Sequence, residues 1–205
     1  WAALAVLPLA LILVTSFLKF SVVLSLLRQA LGAPEALPSS AVVAIAALLS
    51  AFVMAPVALE MQRAAAPALP EAAAWSPAQV AQVAAASSPP LLAWLERHSG
   101  PEERAVFARL GAELHAPADL ALLEAPSPLV ILPAFVLTEL KEAFLIGFAL
   151  YVPFLVLELV IAGALLSLGL QGLSPGAVSL PFKLLLFVMV DGWTLLVEGL
   201  ILGYV

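Results

Sequence analysis

Apolar and polar positions are segregated into long blocks along this chain. Apolar runs at 1–18 and 41–59 precede a polar stretch at 60–128, and two further apolar runs follow at 143–170 and 184–205. A helix of such a run is about 27 Å long, close to the hydrocarbon thickness of a bilayer. Pro8 interrupts the first run and Lys19 closes it, while Glu60 closes the second. The connection between the first two contains Lys19, Arg28 and the turn Gly32-Ala33-Pro34-Glu35-Ala36-Leu37-Pro38; Gln171-Gly172-Leu173-Ser174-Pro175-Gly176 joins the last two. Gly and Pro end one helix and start the next, so the pattern predicts an all-α fold of two antiparallel hairpins. Three segments follow: a hydrophobic hairpin at 1–59, a polar insert at 60–128 and a second hydrophobic hairpin at 129–205.

The insert has eight of the fourteen acids and four of the eight Lys and Arg residues. Ser76-Pro77 has the form of an N-cap followed by proline at the first helical position, and Gly100-Pro101-Glu102-Glu103 opens another helix with acids in its first turn. Val106, Phe107, Leu110 and Leu114 then fall on one face, which predicts a small helical domain packed against something, with the Ala- and Pro-rich stretch 64–74 loose.

Composition sharpens this picture. Of 205 residues 64% are apolar and 11% charged, with a mean hydropathy of +1.14. A soluble domain of this size cannot hide that much apolar surface, so the chain is membrane-associated or intimately oligomeric. A net charge of −6 argues against a nucleic-acid partner. The absence of cysteine excludes disulfides, thiol catalysis and Cys-ligated metals, and both histidines, His98 and His115, lie in the polar insert, so no cofactor is expected. There is no Gly-x-Ser-x-Gly, Gly-rich phosphate loop or His-Glu-x-x-His, and the chain is not expected to be an enzyme. With Lys19, Arg28 and Lys183 in the short connections, the positive-inside rule places those connections in the cytoplasm, and the insert and termini outside. Trp1 stands where a methionine would begin a chain, so an upstream segment is expected.

Charges inside apolar segments need partners or a wet surface. Counted from the turn near Gly172, Glu158 and Lys183 lie at similar depth on facing helices, which predicts an ion pair; the alternative is that each faces solvent or headgroups. At the entrance to the third run, Lys141 is two residues from Glu139 and does not face it, whereas Glu139 and Glu142 share a face. That segment is either solvated or neutralised by neighbouring subunits. Pro56 and Pro153 predict kinks, and Gly147, Gly163, Gly169, Gly192, Gly199 and Gly203 permit close helix approach. Glu158 and Asp191 within apolar runs also suit a carboxylate-based ion or proton carrier, although four hydrophobic helices are few for a complete transporter.

Several ordered motifs resemble one family. They are Thr15-Ser16-Phe17-Leu18-Lys19-Phe20 continuing through Ser25-Leu26-Leu27-Arg28-Gln29-Ala30-Leu31-Gly32; Met54-Ala55-Pro56-Val57; Pro133-Ala134-Phe135, Glu139-Leu140-Lys141 and Ala143-Phe144 before Ile146-Gly147-Phe148; Leu180-Pro181-Phe182-Lys183; and Asp191-Gly192-Trp193. Together they resemble the FliP/SctR family, the core export-gate subunit of bacterial type III secretion systems. Met54-Ala55-Pro56-Val57 and the sequence from Asp191 to Leu196 are closer to the injectisome branch than to the flagellar one. The resemblance implies a bacterial inner-membrane protein with a periplasmic insert, forming a homopentamer that joins two other small hydrophobic export-gate subunits and passes unfolded substrates through its centre. It also implies hairpins packed on each other largely above the bilayer plane, with Glu139, Lys141, Glu142, Glu158, Lys183 and Asp191 serving assembly or ion pairing. One departure stands out. The family carries methionines after the Leu-Gly of the third apolar segment, where they seal the pore; here Leu168-Gly169 is followed by Leu170, Gln171, Gly172 and Leu173. Methionine is unbranched and polarizable, which suits an adaptable gasket, so the ring position is expected to persist with a softer seal.

Overall fold

The computed structural model describes residues 12–32, 37–69, 76–114, 127–170 and 172–205. All regular structure among them is helical. The helices are α1 (Phe17–Leu31), α2 (Ser39–Ala65), α3 (Pro77–His98), α4 (Pro101–Leu114), α5 (Pro128–Ser167), α6 (Pro175–Met189) and α7 (Gly192–Leu202), with a 3-10 turn at Ala66–Ala68 after α2. They divide into two compact units: one takes Ala51–Glu139 and the segment up to Ser16, the other Phe17–Ser50 and Leu140–Val205.

In the second unit α1 occupies most of the stretch expected to be the first connection. Its buried residues Phe20, Val23, Leu24, Leu27, Ala30 and Leu31 recur at three- and four-residue spacing, the stripe of an amphipathic helix. Lys19 is buried on that stripe, so the cation that reads as a loop charge belongs to the core. Gly32 ends the helix at φ +71°, a left-handed conformation glycine adopts freely, and Arg28 Nη1 donates to Ser39 Oγ at 2.8 Å, linking the end of α1 to the start of α2. Leu26 packs where the Cβ of any residue larger than glycine at 147 would stand, so α1 and α5 approach closely.

Helix α5 begins at Pro128, well before the expected apolar run, because Glu139, Lys141 and Glu142 are good helix formers and carry it through. Its 40 residues make a rod of about 60 Å, twice a hydrocarbon core. The spans Ser39–Ala68 and Pro128–Ser167 are each long and apolar enough to cross a membrane. Helices α6 and α7 meet that test only as a pair, bent by 62°.

The first unit contains the described part of the insert. Ser76 caps α3 with a capping box: Gln79 N–H donates to Ser76 Oγ at 3.2 Å and Ser76 N–H donates to Gln79 Oε1 at 2.9 Å. Pro89 and Pro90 lie inside α3, and the Ser88 hydroxyl donates to the Ala85 carbonyl at 3.1 Å, a carbonyl that Pro89 cannot serve because it has no N–H. The corner between α3 and α4 docks on α5. Trp94 packs against Phe135 with ring centroids 5.4 Å apart and planes tilted by 58°, and Gly100 N–H donates to Thr138 Oγ1 at 2.8 Å. The apolar stripe of α4 takes no part in this docking. Glu103 and Gly111 turn inward, whereas Val106 and Leu110 are exposed and Leu114 is 81% exposed. The helix is anchored by its first turn at Gly100 and Glu103, which rotates its apolar stripe away from the unit.

Candidate functional site

Lys183, on the α6 face that also buries Ser179 and Phe187, is 4% exposed. Its ammonium donates to Glu158 Oε2 on α5 at 2.5 Å, which brings together the two charges placed at equal depth by the sequence. Gly32 lies beside the same ammonium, within 4 Å of where a side chain would start, so the cation also faces the partially negative C-terminal end of α1. Three helices thus converge on one buried positive charge. Phe154 and Phe187, with ring centroids 6.3 Å apart, pack the same pair of helices.

A second buried cation lies at the start of α1. Lys19 is 2% exposed, with its Nζ 2.7 Å from Glu142 Oε2 on α5 and 4.1 Å from the centre of the Tyr204 ring beyond α7. Tyr204 also meets Phe20 edge-on at 5.7 Å. A buried ammonium is tolerable only when its lost hydration is replaced, and here a carboxylate and an aromatic face replace it. Sequence reading missed this site. Lys19 registers there only as a topogenic charge, and nothing local links Tyr204 to it.

Of the other expected residues, Glu139 is buried and Lys141 exposed, while the Glu142 side chain remains 47% exposed as it reaches Lys19. Asp191 is not gathered with the lysine pairs. It forms the elbow between α6 and α7 in a left-handed conformation, φ 51° and ψ 49°, and Gly192 after it lies tight beneath the Phe187 ring. Inside that elbow α5, α6 and α7 line a half-open apolar cleft of about 360 Å³, bounded among others by Pro153, Phe154, Val190 and Gly199.

At the other end of α6 the helix-joining turn has a definite geometry. Gly169 at φ +73° closes α5 with a Schellman motif, in which Leu170 N–H donates to Leu165 O at 2.9 Å and Gly169 N–H to Leu166 O at 3.1 Å. Leu168, Leu170, Gly172 and Leu173 are all exposed there; Gln171 lies outside the described residues. No cluster of three or more His, Cys, Asp or Glu able to hold a metal occurs among the described residues.

Long apolar helices with lysines buried against carboxylates define a helical, membrane-associated protein. Comparison with known sequences makes this specific. Residues 1–200 match the FliP family. The chain is 43% identical over 202 residues to the hypersensitivity response secretion protein HrcR of Ralstonia nicotianae, covering 98% of this chain and 93% of that protein. It is 40% identical over 201 residues to the Yop proteins translocation protein R of Yersinia pestis (98% and 92%), and 41% identical over 202 residues to the flagellar biosynthetic protein FliP of Pectobacterium carotovorum (97% and 74%). The chain belongs to the FliP family, and these relatives are by name a secretion, a translocation and a flagellar biosynthetic protein.

Proposed function

We propose that this chain is a core, pore-forming subunit of a type III secretion export gate in the bacterial inner membrane, conducting unfolded protein substrates and performing no chemistry of its own. Five copies form a ring that joins two other small hydrophobic gate subunits, with the polar insert at 60–128 on the periplasmic side between hairpins at 1–59 and 129–205. Secretion and translocation relatives and the motifs at Met54–Val57 and Asp191–Leu196 support the injectisome branch over the flagellar one.

The observation that carries the reading is the tip of the α5–α6 hairpin. Leu170 and Leu173 project from a turn closed by backbone hydrogen bonds, and the same hairpin is locked by Lys183 and Glu158. In a ring of copies such tips meet as an apolar constriction, with Leu170, Gln171, Gly172 and Leu173 forming the seal. Outer faces of α5 support the ring as well: Phe144, Leu145, Phe148 and Leu159 are exposed, an apolar surface that lipid or neighbouring subunits must cover. Glu139, Lys141, Glu142, Glu158, Lys183 and Asp191 serve assembly and packing in this reading. The Glu158–Lys183 pair favours it over a carboxylate carrier, because the carboxylate serves there as the partner of a buried cation that joins two helices.

A photo-activatable residue at Leu173 should capture a secretion substrate stalled by a folded C-terminal plug, and the same residue at Leu114 should not. Capture at Leu114 alone, or at neither position with secretion intact, would contradict the pore assignment.

A further inference from the structure

Helix α7 carries two carboxylates on an otherwise apolar surface. Asp191 caps its start, where its carbonyl accepts from Leu195 N–H at 3.2 Å, and Glu198 follows two turns later. That spacing returns to the same face within about 20°, which sets the two acids about 10 Å apart along the helix. Both are exposed, and neither forms an ion pair among the described residues. Their neighbours on that face are apolar: Leu195, between them, is 60% exposed and Leu202, beyond them, 67%.

The same face borders the cleft inside the elbow, because Leu195 and Gly199 both line it. A Cβ on Gly199 would meet nothing within 4 Å, so the packing of this chain does not call for a glycine there, although glycine weakens a helix relative to alanine. Its smallness keeps the cleft open. An apolar cleft of about 360 Å³ beside exposed leucines needs a cover. Whatever covers it closes over Asp191 and Glu198 as well, and must bring cations for them, because a carboxylate buried without a partner is strongly disfavoured. A second copy does not bring them. Among the eight Lys and Arg residues only Arg97 and Arg104 have the two-turn spacing, and they stand on different helices, α3 and α4.

We infer that this face of α7 docks an apolar helix of an unlike chain bearing two basic residues seven positions apart. One meets Asp191 and the other Glu198, while an apolar side chain between them enters the cleft beside Gly199. The inference goes beyond the gate reading, since it names the chemistry of the chain that covers α7 and does not depend on the number of copies in a ring.

The probe is a synthetic helix of leucine and alanine with two lysines seven positions apart, added to the full chain in dodecyl maltoside with a photo-activatable residue at Leu195. The peptide should be captured there. Capture should fall about fivefold when both lysines are glutamine, when they stand five positions apart on opposite faces, or when the photo-activatable residue is at Leu48, an exposed leucine of α2. Glu198→Lys should also lower capture about fivefold, with helical circular dichroism unchanged at this exposed site, and a peptide with one lysine replaced by glutamate should restore it. Equal capture of the lysine and glutamine peptides, equal capture at Leu48, or capture unaffected by Glu198→Lys would overturn the docking site.

Discussion

Lys183 and Glu158 stand on opposite helices of the second hairpin with 2.5 Å between ammonium and carboxylate, yet their surroundings differ: the lysine side chain is 5% exposed and the glutamate 37%. The pair is therefore asymmetric. Removing Glu158 strands a buried cation, whereas removing Lys183 leaves a carboxylate that water still reaches, a loss of about 1 kcal/mol, so the first change costs more than the second. Glu158→Leu should therefore lower the thermal unfolding temperature more than Lys183→Met. The reciprocal charge swap should recover part of the loss. Equal effects in the two single variants, measured by unfolding in detergent, would show that the burial difference does not govern the pair.

Gly147 sets the distance between α1 and α5. Any Cβ there meets Leu26, and overpacking of this kind typically costs about 1–3 kcal/mol. Gly147→Val should destabilise the second unit, and Leu26→Ala should restore part of the stability, since it vacates the same space. A double-mutant cycle with zero coupling energy would remove the close approach from the account.

Docking of the insert rests on Thr138, whose hydroxyl accepts from Gly100 N–H and donates to the Ala134 carbonyl, each at 2.8 Å. Thr138→Val keeps the shape and deletes both interactions, leaving a half-buried N–H without this acceptor, at a cost of about 1 kcal/mol. Limited proteolysis should then cut between α3 and α4 faster than in the unsubstituted chain. Thr138→Ser should behave like the original. An unchanged cleavage rate in the valine variant would count against the anchoring of α4 by its first turn.

The non-methionine tip should leak. Replacing Leu170, Gln171 and Gly172 together by methionine supplies flexible thioether side chains that adapt to one another across an opening. Ion conductance through the assembled gate should fall in Leu170→Met, Gln171→Met, Gly172→Met relative to the unsubstituted chain. Equal conductance would mean that the seal is formed elsewhere.

Parts of this structure are legible in the sequence because they depend on local chemistry. Ser76 and Gln79 form a capping box within four residues, and Gly169 ends α5 where a left-handed residue is needed. The registers of Glu158 and Lys183 follow from counting about a short turn. Helix α1 is equally periodic, but Lys19 and Arg28 make it look like a loop until one sees that Lys19 is buried by partners from distant segments. The face of α4 is not legible, because its rotation is decided by Thr138 on α5 and not by the hydrophobicity of Val106, Leu110 and Leu114. Tyr204 is hidden for the same reason: its role exists only once the end of α7 meets the start of α1.

The mass of the detergent-extracted complex tests the central claim most directly, with the chain produced alone and then beside the two other small hydrophobic gate subunits. The account predicts a discrete ring near five copies that gains unlike subunits when they are present. A monomer or dimer whose mass ignores those partners would contradict it.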